Sequence, residues 1–243
     1  MRYAIQALAI AAVLATSAAG AAAQGFEDFS RAFAAHGPNA AEGIIQTLRI
    51  TGTSKTATGS QPFTFSASLD GQVRLDYGRP VTRSRVTTPS GHFEVRGNQV
   101  RPMPAHVNLY GQLDLLSVFA IRRFAVGTPE PLGTGAVEGR SSVRYRAHSG
   151  REQIQYLRRL SDDLDVDFDR QTGLVAAVTR TLYADNSLDL PFTRSYLFAD
   201  HRNIGDLIFP FRIQMAINGR VVETFLIDAV ERNPVFQSRI FER

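Results

Sequence analysis

Residues 207–230 read LIFPFRIQMAINGRVVETFLIDAV. Phe209, Phe211, Ile213, Met215 and Ile217 recur at every second residue, the spacing that sends alternate side chains to one face of a pleated strand. Asn218-Gly219 follows. Both residues tolerate the positive φ of a type I′ turn, so the chain is expected to reverse there and pair antiparallel with itself. With a two-residue turn and a regular ladder, Met215 opposes Val222, Ile213 opposes Thr224 and Phe211 opposes Leu226. Phe225 and Ile227 then fall on the polar side with Arg212, Gln214 and Glu223. The pattern therefore demands either a bulge that shifts the register or cover on both faces of the second strand.

Upstream of this hairpin the same period of two recurs. Leu164, Val166 and Phe168 alternate with Asp165, Asp167 and Asp169, and strands are also expected over Val143–Ala147, Ile154–Leu157, Leu174–Tyr183 and Thr193–Ala199. Earlier still, a strand over Ile44–Thr53 precedes a meander. Phe63, Phe65, Ala67 and Leu69 are followed by Asp70-Gly71, then Val73, Leu75 and Tyr77, Thr82–Thr88, and Phe93 and Val95 after Pro89-Ser90-Gly91. Two stretches depart from strand period. Phe26, Phe29 and Phe33 mark a short amphipathic helix stopped by His36-Gly37-Pro38. Within residues 106–124, Leu109, Leu113, Leu116, Ala120 and Phe124 recur at helical steps, widened by Leu115, Val118, Phe119 and Ile121, so this helix is buried or lies across something greasy. Residues 127–139, GTPEPLGTGAVEG, read as a flexible connector from their Gly and Pro content. About ten or eleven short antiparallel strands result, and a sheet that large must curl into a barrel, a half-barrel or a sandwich.

The chain of 243 residues is 44% hydrophobic and 21% charged, with neither cysteine nor tryptophan, ordinary values for one globular domain of the larger all-β kind. Residues 1–23 have the form of a secretory signal: Arg2, an apolar run over Ala4–Ala15, and Ala21-x-Ala23 for cleavage. The run is too short to span a bilayer. Residues 24–243 are expected to be one exported domain, stable without disulfides, in the periplasm of a Gram-negative bacterium. The formal net charge of +4 rests almost wholly on arginine, Lys55 being the one lysine. No basic run is dense enough for nucleic acid.

Catalytic and metal-binding patterns fail specific tests. The D-x-D-x-D run at Asp165, Asp167 and Asp169 lacks the calcium loop's glycine at the sixth position, occupied by Arg170, and its glutamate at the twelfth, occupied by Ala176; the solvated face of a strand accounts for it. The five histidines, at 36, 92, 106, 148 and 201, have no metal-ligand spacing. Ser90-Gly91-His92 sits in a turn without an orienting third group. No enzyme, cofactor or metal is expected.

The strand and acidic turn Asp167-Phe168-Asp169-Arg170-Gln171-Thr172-Gly173-Leu174, the pattern Asp200-His201-Arg202-x-x-Gly205 with Phe209-Pro210-x-x-Ile213 and Asn218-Gly219, and the closing strand Val222–Val230 resemble the LolA/LolB-like superfamily of periplasmic lipoprotein and lipid carriers. So does the order helix, meander, apolar helix, meander. The resemblance implies an α+β, mainly antiparallel fold: a single unclosed half-barrel whose concave face is covered by helices. It implies a non-catalytic carrier that binds a lipid or the acyl chain of a lipoprotein, with an acylated protein and a membrane-bound protein as partners. In that reading Phe63, Phe65, Leu75, Tyr77, Phe93, Phe211, Ile213 and Met215 line the hydrophobic cavity. Leu113, Leu116 and Phe119 form its lid, and rim arginines such as Arg74 or Arg122 hold an anionic headgroup. The alternative is a periplasmic protein-binding or sensory module using the same half-barrel, its sheet edge accepting a strand.

Overall fold

A computed structural model describes residues 31, 34–37, 45–68, 72–88, 90–103, 129–147, 164–184, 187–237 and 239–242. These residues build one antiparallel sheet of 13 strands. In chain order the strands are β1 (Thr47–Thr56), β2 (Gly59–Ser68), β3 (Val73–Tyr77), β4 (Arg83–Thr88), β5 (Gly91–Arg96), β6 (Gln99–Pro102), β7 (Glu130–Val137), β8 (Arg140–Ala147), β9 (Leu164–Asp169), β10 (Val175–Ala184), β11 (Ser187–Ile204), β12 (Leu207–Ile217) and β13 (Arg220–Arg232). Across the sheet they run β6-β5-β4-β3-β2-β1-β13-β12-β11-β10-β9-β8-β7. Every neighbouring pair is consecutive in sequence except β1 with β13. The sheet is unclosed, with β6 and β7 as its edges.

The strand count exceeds the ten or eleven expected, and β7 shows why. Its segment EPLGTGAV belongs to the stretch that reads as a connector, yet it pairs with β8 from Glu130↔Arg146 to Val137↔Arg140. Proline and glycine are tolerated because β7 is an edge strand, where missing donors and local kinks cost little. A register shift between Pro131 and Gly133 absorbs the irregularity. The short edge strand β6 carries no apolar alternation and was equally hard to see.

The β12–β13 hairpin turns at Asn218-Gly219, whose φ values of 48° and 77° are both positive. Of the two possibilities left by the sequence, a bulge is found. The register shifts between Met215 and Ala216, so Met215 opposes Glu223, Ile213 opposes Phe225 and Arg212 opposes Leu226. Val222 is the extra residue, and the shift carries Phe225 and Ile227 into the core at 1% and 5% exposure.

One face of the sheet, the inner face, forms the main core. It draws Leu48, Ile50, Phe63, Phe65, Val73 and Leu75 from β1–β3, and Val166, Phe168, Phe198, Phe209, Ile213 and Phe225 from β9–β13, into one cluster. The β1–β13 seam crosses it. Gly52 sits there because a Cβ would stand 2.1 Å from the Leu226 carbonyl oxygen, closer than any side chain permits.

The outer face is held by charge. Asp165, Asp167 and Asp169 are not a merely solvated row: Asp167 and Asp169 are buried, and each of the three meets an arginine of β8. Arg146 binds Asp165 through two bonds of 2.7 and 3.1 Å, Arg144 approaches Asp167 to 2.9 Å and Arg140 approaches Asp169 to 3.4 Å. At the other end of the sheet Arg74 donates to Asp76 at 2.8 Å and to the carbonyls of Ile240 and Glu242. The C-terminal segment is thereby fastened over the outer face of β3.

Among the described residues only 31 and 34–36 are helical. The central apolar helix, the lid residues Leu113, Leu116 and Phe119, the signal, and the strand expected at Ile154–Leu157 lie outside the described residues, so the helical cover expected on the concave face is not part of the architecture described. No helix among the described residues is long and apolar enough to cross a membrane.

Candidate functional site

Seven of the eight residues expected to line a cavity fall on the inner face. Cross-strand pairing puts Phe63 opposite Tyr77 and Phe65 opposite Leu75, and all four are at most 3% exposed. Ile213 opposes Phe198 on one side and Phe225 on the other, with Phe211 and Met215 half-buried against the same cluster. An edge-to-face contact between Phe63 and Phe225, ring centroids 5.1 Å apart, joins the two groups across the seam.

Phe93 is a correction. Thr88 stands opposite Gly91, so Phe93 opposes Val86 and Glu94 opposes Arg85. Arg85 in turn opposes Leu75, which puts Glu94 on the inner face and Phe93 on the outer one. Arg74 is corrected too: its guanidinium works on the outer face, as described above. Arg122 lies outside the described residues.

The sequence did not reveal that the inner face turns polar at one end. Arg83 opposes Tyr77 and Arg85 opposes Leu75, so the alternation Arg83-Ser84-Arg85-Val86 points its arginines inward. An isolated strand of that pattern would send them to water. Here the outward Ser84 and Val86 are buried, at 2% and 1% exposure. Ser84 is engaged there by Arg74 and Asp76, which leaves the inner side to the guanidinium groups. The Arg83 guanidinium stacks 4.2 Å above the Tyr77 ring, with Arg85 at 6.0 Å. Glu223 enters from β13 and accepts a 2.6 Å bond from Ser54. Burial first, and the nearby Glu223 carboxylate second, push the Tyr77 phenol far above its ordinary range, so it stays a neutral O–H donor at any physiological pH. The buried Tyr77 Oη and Arg85 Nε close no hydrogen bond of normal geometry.

The opposite end of the sheet has a different character. His36, fully buried, accepts a bond from the Val175 amide and meets His201 edge-on at 6.5 Å. Nearby, a groove of about 530 Å³ is lined by Gly139, Arg140, Ser141, Asp169, Arg170 and Gln171. Asp169 Oδ1 caps the amides of Gln171 and Thr172 at 2.9 Å, so this carboxylate is committed to its turn. Ser90 and His92 do not face each other; each bonds a threonine instead, Thr88 at 2.8 Å and Thr87 at 3.0 Å. Asp200 is engaged by Arg202 at 2.5 Å. Among the described residues no group of three or more His, Cys, Asp or Glu side chains could hold a metal ion.

No protein-family model and no curated protein matches the sequence. Solved structures do match in shape. A domain described as an outer membrane lipoprotein-sorting protein domain from Vibrio parahaemolyticus superposes with a TM-score of 0.54 at 12% identity, covering 90% of this chain and 97% of that one. A LolA superfamily protein from Nitrosomonas europaea gives 0.50 at 9% identity over 84% and 95%. A DUF1329 family protein from Desulfovibrio piger gives 0.52 at 10% identity over 89% and 96%. The fold of this chain is therefore LolA-like, an unclosed antiparallel sheet.

Proposed function

We propose that this protein binds the acyl chain of a lipid, or of a lipid-modified protein, against its inner face and carries it unchanged through the periplasm. The observation that carries the reading is the single apolar cluster running across the seam from β2 and β3 to β9–β13, on a fold shared with a lipoprotein-sorting domain. Phe211 and Met215, the half-buried members of the cluster, are its proposed first contacts; Phe63, Phe65, Leu75, Tyr77 and Ile213, at most 3% exposed, join them only when the inner face opens. Transfer of a sixteen-carbon chain from water gains about 12 kcal/mol before ordering costs, so affinity needs nothing beyond apolar contact. No reaction is proposed, because the polar groups at both ends are engaged in turns, ion pairs and stacking rather than arranged as nucleophile and base. Strand addition at a sheet edge is less favoured: β6 ends in Pro102 and β7 carries Pro131, each removing a donor a partner strand would need.

The test is lipid extraction and mass spectrometry of protein purified from its native compartment, together with titration of the delipidated protein with cis-parinaric acid. Co-purifying lipid and saturable probe uptake are expected. Clean protein that takes up no probe ends the carrier reading.

A further inference from the structure

The inner face of a greasy sheet is an expensive place for guanidinium groups, and two of them stand there. Arg83 and Arg85 are half-buried, neighbours on one strand, and among the described residues neither closes an ion pair. Glu94, directly across from Arg85, is taken by Arg96 at 2.8 Å. Glu223 reaches the group from β13, but its bond is to Ser54 at 2.6 Å, and one carboxylate answers only one of two cations. Between them stands Tyr77, its phenol buried and neutral, with the Glu223 carboxylate beside it but no hydrogen bond of normal geometry closed. Three donors thus converge where the apolar contacts Phe63, Phe65 and Leu75 stop.

We infer that Arg83, Arg85 and Tyr77 are the receptor for the anionic group, carboxylate or phosphate, of an amphiphile whose chain lies along the inner face. The inference rests on the carrier reading above and adds the ligand's polar end. An anion there satisfies the Arg85 Nε and offers the Tyr77 Oη an acceptor of better geometry than Glu223, and the guanidinium forks match its oxygens. Hydrogen bonds to a charged group make that match worth about ten- to a hundredfold in affinity. The stacking on Tyr77 holds the forks in place before the ligand arrives.

The test uses delipidated full-length protein and three probes sharing a twelve-carbon chain: dodecanoate, dodecyl phosphate and 1-dodecanol, titrated by calorimetry. Both anions, or one of them, should bind at least about tenfold more tightly than dodecanol. Preference for dodecanoate assigns the site to free fatty acids, and preference for dodecyl phosphate assigns it to phosphate headgroups. In the double variant Arg83→Gln/Arg85→Gln the anion-to-dodecanol preference should collapse toward one. Should that variant fail to fold, Tyr77→Phe carries the test. It keeps the ring, and is expected to lower anion preference about threefold while leaving dodecanol binding unchanged. Equal binding of all three probes overturns the anion receptor and leaves the carrier reading standing. Binding of none overturns both. A preference that survives the double variant moves the receptor elsewhere and also overturns the inference.

Discussion

Arginine is used in two ways on this sheet. On the outer face of β8, Arg140, Arg144 and Arg146 each meet an aspartate of β9. On the inner face of β4, Arg83 and Arg85 meet an aromatic ring and, among the described residues, close no ion pair. The first set is finished: its charges are matched within the chain, and its role is to fix the β8–β9 register. The second set is left open, and an open charge on an oily face is a structural cost that makes sense if something from outside completes it. Pairing, not residue type, separates scaffold from site.

The contrast can be broken most forcefully on the outer face. Asp167→Ala removes a fully buried acceptor bonded by Ser142 and Arg144; Arg144 reaches water, so the loss is set below that of a wholly buried pair, at about 3 kcal/mol, read by urea unfolding. Acid comes next, acting at the end of the ladder. Burial first and Arg140 second lower the pKa of His201 from 6.5 to about 4. Between those two pH values the unfolded chain takes up a proton that the folded chain refuses, so stability falls as pH drops from 6.5 to 4, by about 2 kcal/mol. His201→Gln should flatten that stretch of the stability profile. Asp169 deepens the loss at lower pH: burial opposes its ionisation, but the Gln171 and Thr172 amides and Arg140 outweigh burial and lower its pKa, so the stability it provides disappears as pH falls through its folded value. Arg83→Gln/Arg85→Gln should shift stability by less than about 1 kcal/mol, since neither arginine closes an ion pair among the described residues and Glu223 keeps its bond from Ser54; a loss as large as that of Asp167→Ala would make these arginines scaffold after all. Smallest of all is Asp200→Asn, which breaks a fully exposed pair with Arg202 and keeps a residue tolerant of the local φ of 55°. Its melting curve should overlay that of the parent.

Much of this architecture is written in period two. The hairpin turn at Asn218-Gly219, and even the need for a bulge beyond it, follow from Phe225 and Ile227 being too apolar for the face a regular ladder assigns them. What period two cannot supply is which face is inner. Val86 and Phe93 are apolar and alternate with charge, which reads as inward; the register puts them outward, Val86 opposite Arg74 and Phe93 opposite Val86, on the side where Arg74 holds the C-terminal segment. The same inversion hid Arg83 and Arg85. β7 was missed for another reason: edge strands tolerate the very residues that mark connectors.

The seam has a last consequence, for how the chain reaches this state. Each half of the sheet is a chain of local hairpins, β1 to β6 and β7 to β13, but among the described residues the two halves pair strand to strand only where Leu48 meets Arg232 and its neighbours follow. Loop-closure entropy is greatest for such a contact, so the seam is expected to close after the hairpins on either side of it. Linking β13 directly to β1 and reopening the chain between β6 and β7 would turn that distant pairing into one between neighbours in sequence.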